Sequence, residues 1–158
     1  MAADHVEIAP LGGADLDSVS ALYHAIWHET HAPLQDAQIA RSRNLTFFKS
    51  RLLRWHKDTL VGRLDSKLAG FASWQGSALE ALYVTLQFRS SGLGAKLLAN
   101  AEDVMRKSGA VELSLDCVCK NIAGRKFYER NGWRIEKSFD LADGTHKDIT
   151  TQHWRMVK

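Results

Sequence analysis

Only two cysteines occur among the 158 residues, both within Cys117-Val118-Cys119. Two positions apart on a strand they point the same way, a poor geometry for a bridge. The chain therefore reads as disulfide-free, of the kind kept reduced in the cytoplasm. The neighbouring sequence also lacks the further ligands that a zinc centre needs. Long hydrophobic runs are missing too. No stretch approaches the roughly 18 apolar residues of a membrane-spanning helix, and the first residues lack a signal-peptide core. This predicts no membrane partner. A large charge of one sign is absent as well, and a net +3 is too small to predict a nucleic-acid partner. No repeat, low-complexity tract or linker interrupts the chain, so residues 1–158, 45% of them hydrophobic, read as one domain with its own core.

What is present centres on Leu79 to Lys96. Leu79, Leu82, Tyr83 and Val84 form a short apolar run bounded by turn-like residues, the signature of a buried strand. A polar loop with Gly92 and Gly94 follows, then a helix with Leu93, Leu97, Leu98, Ala101, Val104 and Met105 on one face. Strand, glycine loop and helix N-terminus together expose unpaired backbone N–H groups, aided by the helix dipole. Such a nest suits a phosphate. A dinucleotide fingerprint would need a third glycine at Leu97, and a P-loop needs Gly-Lys-Ser/Thr. Neither is here.

Around this stretch the elements alternate. His5 to Ala9 reads as a strand, and Asp15 or Asp17 can cap a helix running to about Glu29. Asp36 can cap a second helical region that extends to about Trp55. The spans 59–64 and 68–74 read as a hairpin turning at Asp65-Ser66-Lys67. Val111 to Val118 follows as a strand and Asn121 opens a short helix, closed by Asn131-Gly132. Two last strands, 133–139 and 149–157, meet across Asp143-Gly144. The basic group Arg41, Arg43, Lys49, Arg51, Arg54 and Lys57 reads as a solvated helix face.

Arg89-x-x-Gly92-x-Gly94 resembles the acyl-CoA pyrophosphate loop of the GCN5-related N-acetyltransferase (GNAT) superfamily. Asn121 through Trp133, with Phe127-Tyr128-Glu129 at its centre, resembles the last block of that family. The two blocks stand in the family's order, and the element order fits as well. The resemblance implies an α/β, single-domain GNAT fold with a mixed central sheet of about six to seven strands flanked by about four helices. The acyl-CoA core would span about residues 68–135. Leu86 stands where many members have proline. Ser90 and Ser91 replace a glycine and a basic residue, leaving hydroxyls that can donate to phosphate but carry no charge.

The function implied is transfer of an acetyl group from acetyl-CoA, as co-substrate and without a metal, to a primary amine by direct attack. An alkylammonium has a pKa near that of lysine, about 10, so a base or a desolvating site must help remove its proton. Tyr128 matches the family's proton donor to the departing thiolate. Leu82, Tyr83 and Val84 would pair with the pantetheine arm, and the Val84 N–H would face the charge that develops on the carbonyl oxygen. Arg89, Ser90, Ser91, Gly92, Leu93, Gly94, Ala95 and Asn121 complete the expected cofactor contacts. Glu80, on the strand face of Leu82 and Val84, is the candidate base, set against a purely structural carboxylate.

The acceptor end is expected from the end of the first helix, at Trp27, His28, Glu29 and His31. His24, His28 and His31 fall at helical spacing, but nothing nearby completes a zinc shell, so they read as histidines beside a cleft. Asp15, Asp17, Glu29, Asp36 and Glu80 suggest attraction for a cationic amine, although three of them suit helix capping. Polyamine-like molecules, amino acids, aminoglycoside-type compounds and protein or peptide amines all stay open as acceptors. A homodimer is an expectation from the family alone. The alternative function is a non-catalytic acyl-CoA-binding module of the same fold.

Overall fold

The computed structural model describes residues 5–158. Strands lie at β1 (Val6–Pro10), β2 (Thr59–Leu64), β3 (Lys67–Gln75), β4 (Ala78–Val84), β5 (Ser114–Val118), β6 (Arg134–Ala142) and β7 (Thr150–Val157). Helices lie at α1 (Leu16–Thr30), α2 (Ala37–Ser42), α3 (Leu45–Arg54), α4 (Leu93–Lys107) and α5 (Ile122–Arg130). Among the described residues the strands form one mixed, open sheet in the order β1-β2-β3-β4-β5-β7-β6. Only β4 and β5 run parallel; every other neighbouring pair is antiparallel.

Alternation along the strands builds two cores, one on each face of the sheet. Phe71 and Val61 pack beneath α1 and α3 with Val19, Tyr23, Trp27, Phe48 and Leu52. Ala72, Trp74 and Leu64 pack beneath α4 with Leu93, Leu97, Leu98, Ala101 and Met105. Each of these large side chains, buried fully, contributes about 1.5–3 kcal/mol. The 3.6-residue spacing of α4 thus buries Leu93, Leu97, Leu98, Ala101 and Met105 as its sequence predicts, whereas Val104, read on the same face, lies at its edge and is 37% exposed. Glu102 is buried on that helix because Trp133 Nε1 and Lys158 Nζ donate to it at 3.1 and 2.8 Å.

Three boundaries differ from the sequence reading. The region from Asp36 to Trp55 is two helices, because Asn44 caps a new one by accepting from the Phe47 N–H at 2.9 Å. That raises the helix number to five. The fifth strand begins at Ser114, and Val111, 90% exposed, precedes it. The sixth runs on to Ala142, three residues past the expected end at Phe139.

The sheet has one weak seam. Between β4 and β5 a single residue pair is in register, Ala78 with Ser114, with Ser114 N–H donating to Ser77 O at 2.9 Å. Beyond it the two strands part.

Candidate active site

The parted strands open into a cavity of about 670 Å³ that runs from the α4 N-terminus to the β6–β7 hairpin. Ladder phase decides what its walls offer. Thr85 N–H donates to Ala69 O at 2.8 Å, and Val84 and Leu82 sit opposite Gly70 and Ala72. Because antiparallel bonding alternates, Val84 and Leu82 turn their N–H and C=O groups away from β3 and into the gap. On the other wall, Leu113 and Lys158 exchange bonds and Cys119 N–H donates to Gln152 O. The same alternation turns Asp116 and Val118 toward the gap. The cavity is therefore lined by strand backbone still capable of pairing with an extended molecule.

At one end stands the glycine loop. Gly92 is the N-cap of α4 in the left-handed region, φ 86°, and no side chain caps this helix. The shorter helices α2, α3 and α5 are capped by Asp36, Asn44 and Asn121. The first-turn N–H groups of Gly94 and Ala95 have no intrahelical partner, while Lys96 N–H closes onto Gly92 O at 3.1 Å. A side chain at Gly92 would enter open space, in a backbone conformation that only glycine adopts freely. At Gly94 a Cβ would sit 3.5 Å from the Phe127 ring. Arg89, Ser90, Gly92, Gly94 and Ala95 all line the cavity. Ser91 and Leu93 do not. The Ser91 hydroxyl donates to Phe88 O and faces the Leu93 N–H at 3.3 Å, so it serves the turn. The Leu93 side chain is wholly buried in the core.

Tyr128 and Asn121 line the opposite wall with Cys117 and Phe127. Asn121 caps α5, its Oδ1 accepting from Gly124 N–H at 3.0 Å. Tyr128 packs against Phe127 and Trp133, with centroids 5.3 and 6.1 Å away. Burial, and secondarily the nearby Cys117 thiol, lifts its phenol well above the usual value, so it stays protonated at neutral pH. Burial likewise raises Cys117 to about 11, which keeps that thiol protonated.

The far end is built from α1, α2, α3 and the β6–β7 hairpin. Trp27 and His31 line it, but His28 and Glu29 do not. His28 Nε2 lies 2.6 Å from Arg43 O and ties α1 to the turn before α3. Glu29 is exposed beside a separate shallow groove with Leu22, Ala25 and Leu86. Helical phase is the reason. Tyr23, Trp27 and His31 recur every four residues on the inner face, and Glu29 lies across from them. Asp15, Asp17 and Asp36 are also absent from the cavity. Asp15 pairs with Arg63 at 2.8 Å, Asp17 with Lys49 at 2.7 Å, and Asp36 caps α2. Of the five acidic residues read as an attraction for cations, only Glu80 lines the cavity.

His31 has a defined tautomer. Thr30 Oγ1 donates to Ile26 O at 2.7 Å and lies 2.7 Å from His31 Nδ1, so Nδ1 must donate to the hydroxyl. Nε2 is left as an acceptor. Burial, then the Arg89 cation, lowers its pKa to about 4, and the ring is neutral at physiological pH. Glu80 is raised, first by burial and then by Asp116, against the lowering effects of Arg51 and Arg54.

Two basic residues that read as a solvated face are drawn in, Arg43 fully and Arg51 in part. Arg43 is 7% exposed and forms an ion pair with Asp143 at the hairpin, with its other nitrogen 2.9 Å from Thr145 Oγ1. Arg51 lines the cavity between Phe47 and Trp55, its guanidinium 4.5 Å from the Phe47 centroid. The signal was local: Arg51 follows Phe47 by four positions, on the same helix face.

A split mixed sheet over a glycine-led, uncapped helix N-terminus is the cleft of an α/β protein that holds an extended molecule ending in phosphate. Residues 19–133 match the model of the Acetyltransferase (GNAT) family, and the chain belongs to that family. The spermidine N(1)-acetyltransferase of Thermoplasma acidophilum is 28% identical over 144 residues, covering 83% of this chain and 89% of the relative. Two solved structures share the fold. A GCN5-related N-acetyltransferase from Rhodopseudomonas palustris has a TM-score of 0.78 at 19% identity, covering 100% of this chain and 98% of that one. The PaiA N-acetyltransferase of Thermoplasma acidophilum, in complex with coenzyme A, has a TM-score of 0.74 at 24% identity, with 98% of each chain covered. Neither a metal-binding cluster nor a membrane-spanning helix occurs among the described residues.

Proposed function

We propose that this protein transfers the acetyl group of acetyl-CoA to the primary amine of a small acceptor by direct attack. The observation that carries the reading is one continuous cavity holding the open β4 backbone, the bare α4 N-terminus and Tyr128 together. The open Cβ space at Gly92 and the unpartnered N–H groups of Gly94 and Ala95 fit a pyrophosphate. Acetyl-CoA supplies a thioester-activated acetyl group, whose transfer replaces a C–S bond by an N–C bond and moves one proton from nitrogen to sulfur. Leu82 and Val84 present backbone groups to an extended pantetheine arm, and the Val84 N–H serves a carbonyl oxygen that gains negative charge. Tyr128, held protonated, donates toward the sulfur side. Glu80 and the Nε2 acceptor of His31, both lining the cavity, are the candidates to take the amine proton. Arg89 supplies the loop's positive charge.

The relevant acyl-CoA core is taken as about residues 68–135. The test is thiol release. Purified protein with acetyl-CoA should produce free CoA only when an amine is added. Tight acetyl-CoA binding with no amine-dependent release across a broad panel would instead favour a non-catalytic binding module.

A further inference from the structure

Two opposite charges line the acceptor end of the cavity without touching. Arg51 forms no ion pair with any carboxylate among the described residues, whereas Arg43 is neutralised by Asp143. One of its nitrogens is 3.4 Å from the Tyr23 hydroxyl, and Phe47 and Trp55 hold the guanidinium from either side. Tyr23 is itself fixed in the core, 1% exposed. Arg51 also lines the cavity. Glu80 borders the same cavity and also lacks an ion-pair partner among the described residues, though its carboxylate feels the Arg51 charge.

A cation held by aromatic rings and a phenol, in the same cavity as an unpaired anion, matches a ligand that carries both charges. We propose that the acceptor is an amino acid-like molecule, its carboxylate on Arg51 and its amine toward Glu80 and the acetyl site. This reading rests on the acetyl transfer proposed above and specifies the acceptor class. A guanidinium fork is suited to a carboxylate because two parallel N–H···O bonds fit its geometry. A polyamine fits this end poorly, since its second ammonium would meet Arg51 while Asp116 and Asp143, the other lining carboxylates, are already paired with Arg155 and Arg43. Trp27, Phe47 and Tyr83 add aromatic wall to the same cavity.

The test compares matched acceptors by CoA release: α- and ω-amino acids of increasing length, their carboxamides, the corresponding plain alkylamines, and spermidine. Wild-type protein should favour at least one amino acid over its own carboxamide by about 10- to 100-fold in kcat/KM, the range of a charge-assisted hydrogen-bonded contact. Arg51→Met keeps a long apolar stem between Phe47 and Trp55 and should collapse that ratio toward one. Arg51→Lys should retain part of it. Calorimetric acetyl-CoA affinity and circular dichroism show whether each variant keeps its cofactor site and fold. Should Arg51→Met fail to fold, the wild-type ratio of amino acid to carboxamide decides alone. Equal or better turnover of carboxamides, alkylamines or spermidine throughout the panel would overturn the inference and leave the acetyltransferase reading standing. An Arg51→Met ratio equal to that of wild type would overturn it as well. No release with any amine would instead sink the transfer activity on which it rests.

Discussion

Breaking the Arg43–Asp143 pair should cost very different amounts depending on which partner is removed. Both side chains are about nine-tenths buried, 8% and 9% exposed. Asp143 has other support: it accepts from Thr145 Oγ1 at 2.8 Å, Thr145 N–H at 3.0 Å and His146 N–H at 2.9 Å. Arg43→Met therefore leaves a carboxylate with three donors, and the expected loss is about 1–3 kcal/mol. Asp143→Asn keeps the shape and an acceptor oxygen but strands the guanidinium, leaving it the Thr145 and Ser42 hydroxyls. An uncompensated buried charge costs about 3–5 kcal/mol, a large part of the roughly 5–15 kcal/mol that holds a domain folded. In the Arg43→Met background the Asn substitution should cost under about 1 kcal/mol, giving a coupling of about 3 kcal/mol. Urea unfolding with a constant slope measures all four proteins of the cycle. Additive losses, or an Asp143→Asn cost under about 1 kcal/mol, would refute the reasoning. Acid adds a second check. Burial tends to push the Asp143 carboxyl up, but hydrogen bonds from Thr145 and His146 and the Arg43 cation outweigh it and hold the pKa well below the usual range. Its stabilisation is thus complete above about pH 4 and lost as pH falls below that. Arg43→Met should move this loss to higher pH.

Tyr128→Phe keeps the ring and removes the donor. We expect kcat to fall about ten- to a thousand-fold, with acetyl-CoA affinity nearly retained; an unchanged kcat where chemistry limits the rate would assign sulfur protonation elsewhere. Gly94→Val should lower acetyl-CoA affinity at least about tenfold, about 1.4 kcal/mol, in a folded protein, as read by calorimetry. Gly70→Ala should destabilise and slow turnover together, because its Cβ would lie 2.5 Å from Tyr83 O and push β4 into the cleft; a melting temperature and kcat equal to wild type would contradict that. His31, lowered to about 4 by burial and Arg89, contributes stability that is full above about pH 6.5 and lost as pH falls toward 4. His31→Gln should flatten unfolding free energy against pH across that window.

The parts legible in the sequence were those set by local pattern. Gly92, Gly94 and the helix after them obey rules that span a few residues, and so does the Asn121 cap. The element order could be read for the same reason. Even the break inside the second helical region had its signal, an asparagine three residues before Phe47. What stayed hidden depends on partners far along the chain. Arg43 meets Asp143 across 100 positions, and nothing in a basic run tells which guanidinium will be buried. His28 and Glu29 were grouped with Trp27 and His31 by proximity, whereas a 3.6-residue period separates them. Arg51 is the most instructive miss, since its charge suggested open solvent while Phe47, Trp55 and Tyr23 hold it at the cavity wall.

The single rung between Ala78 and Ser114 divides the sheet into a four-stranded ribbon and a three-stranded one. They behave as two leaves on a spine, with α4 as the covalent binding. A molecule that bonds to both margins would be a structural member of the sheet as well as a reactant. At a concentration 100 times its dissociation constant it would add about 2.7 kcal/mol of stability. Lifetime of the folded protein and supply of its acyl donor would then be read by the same seam.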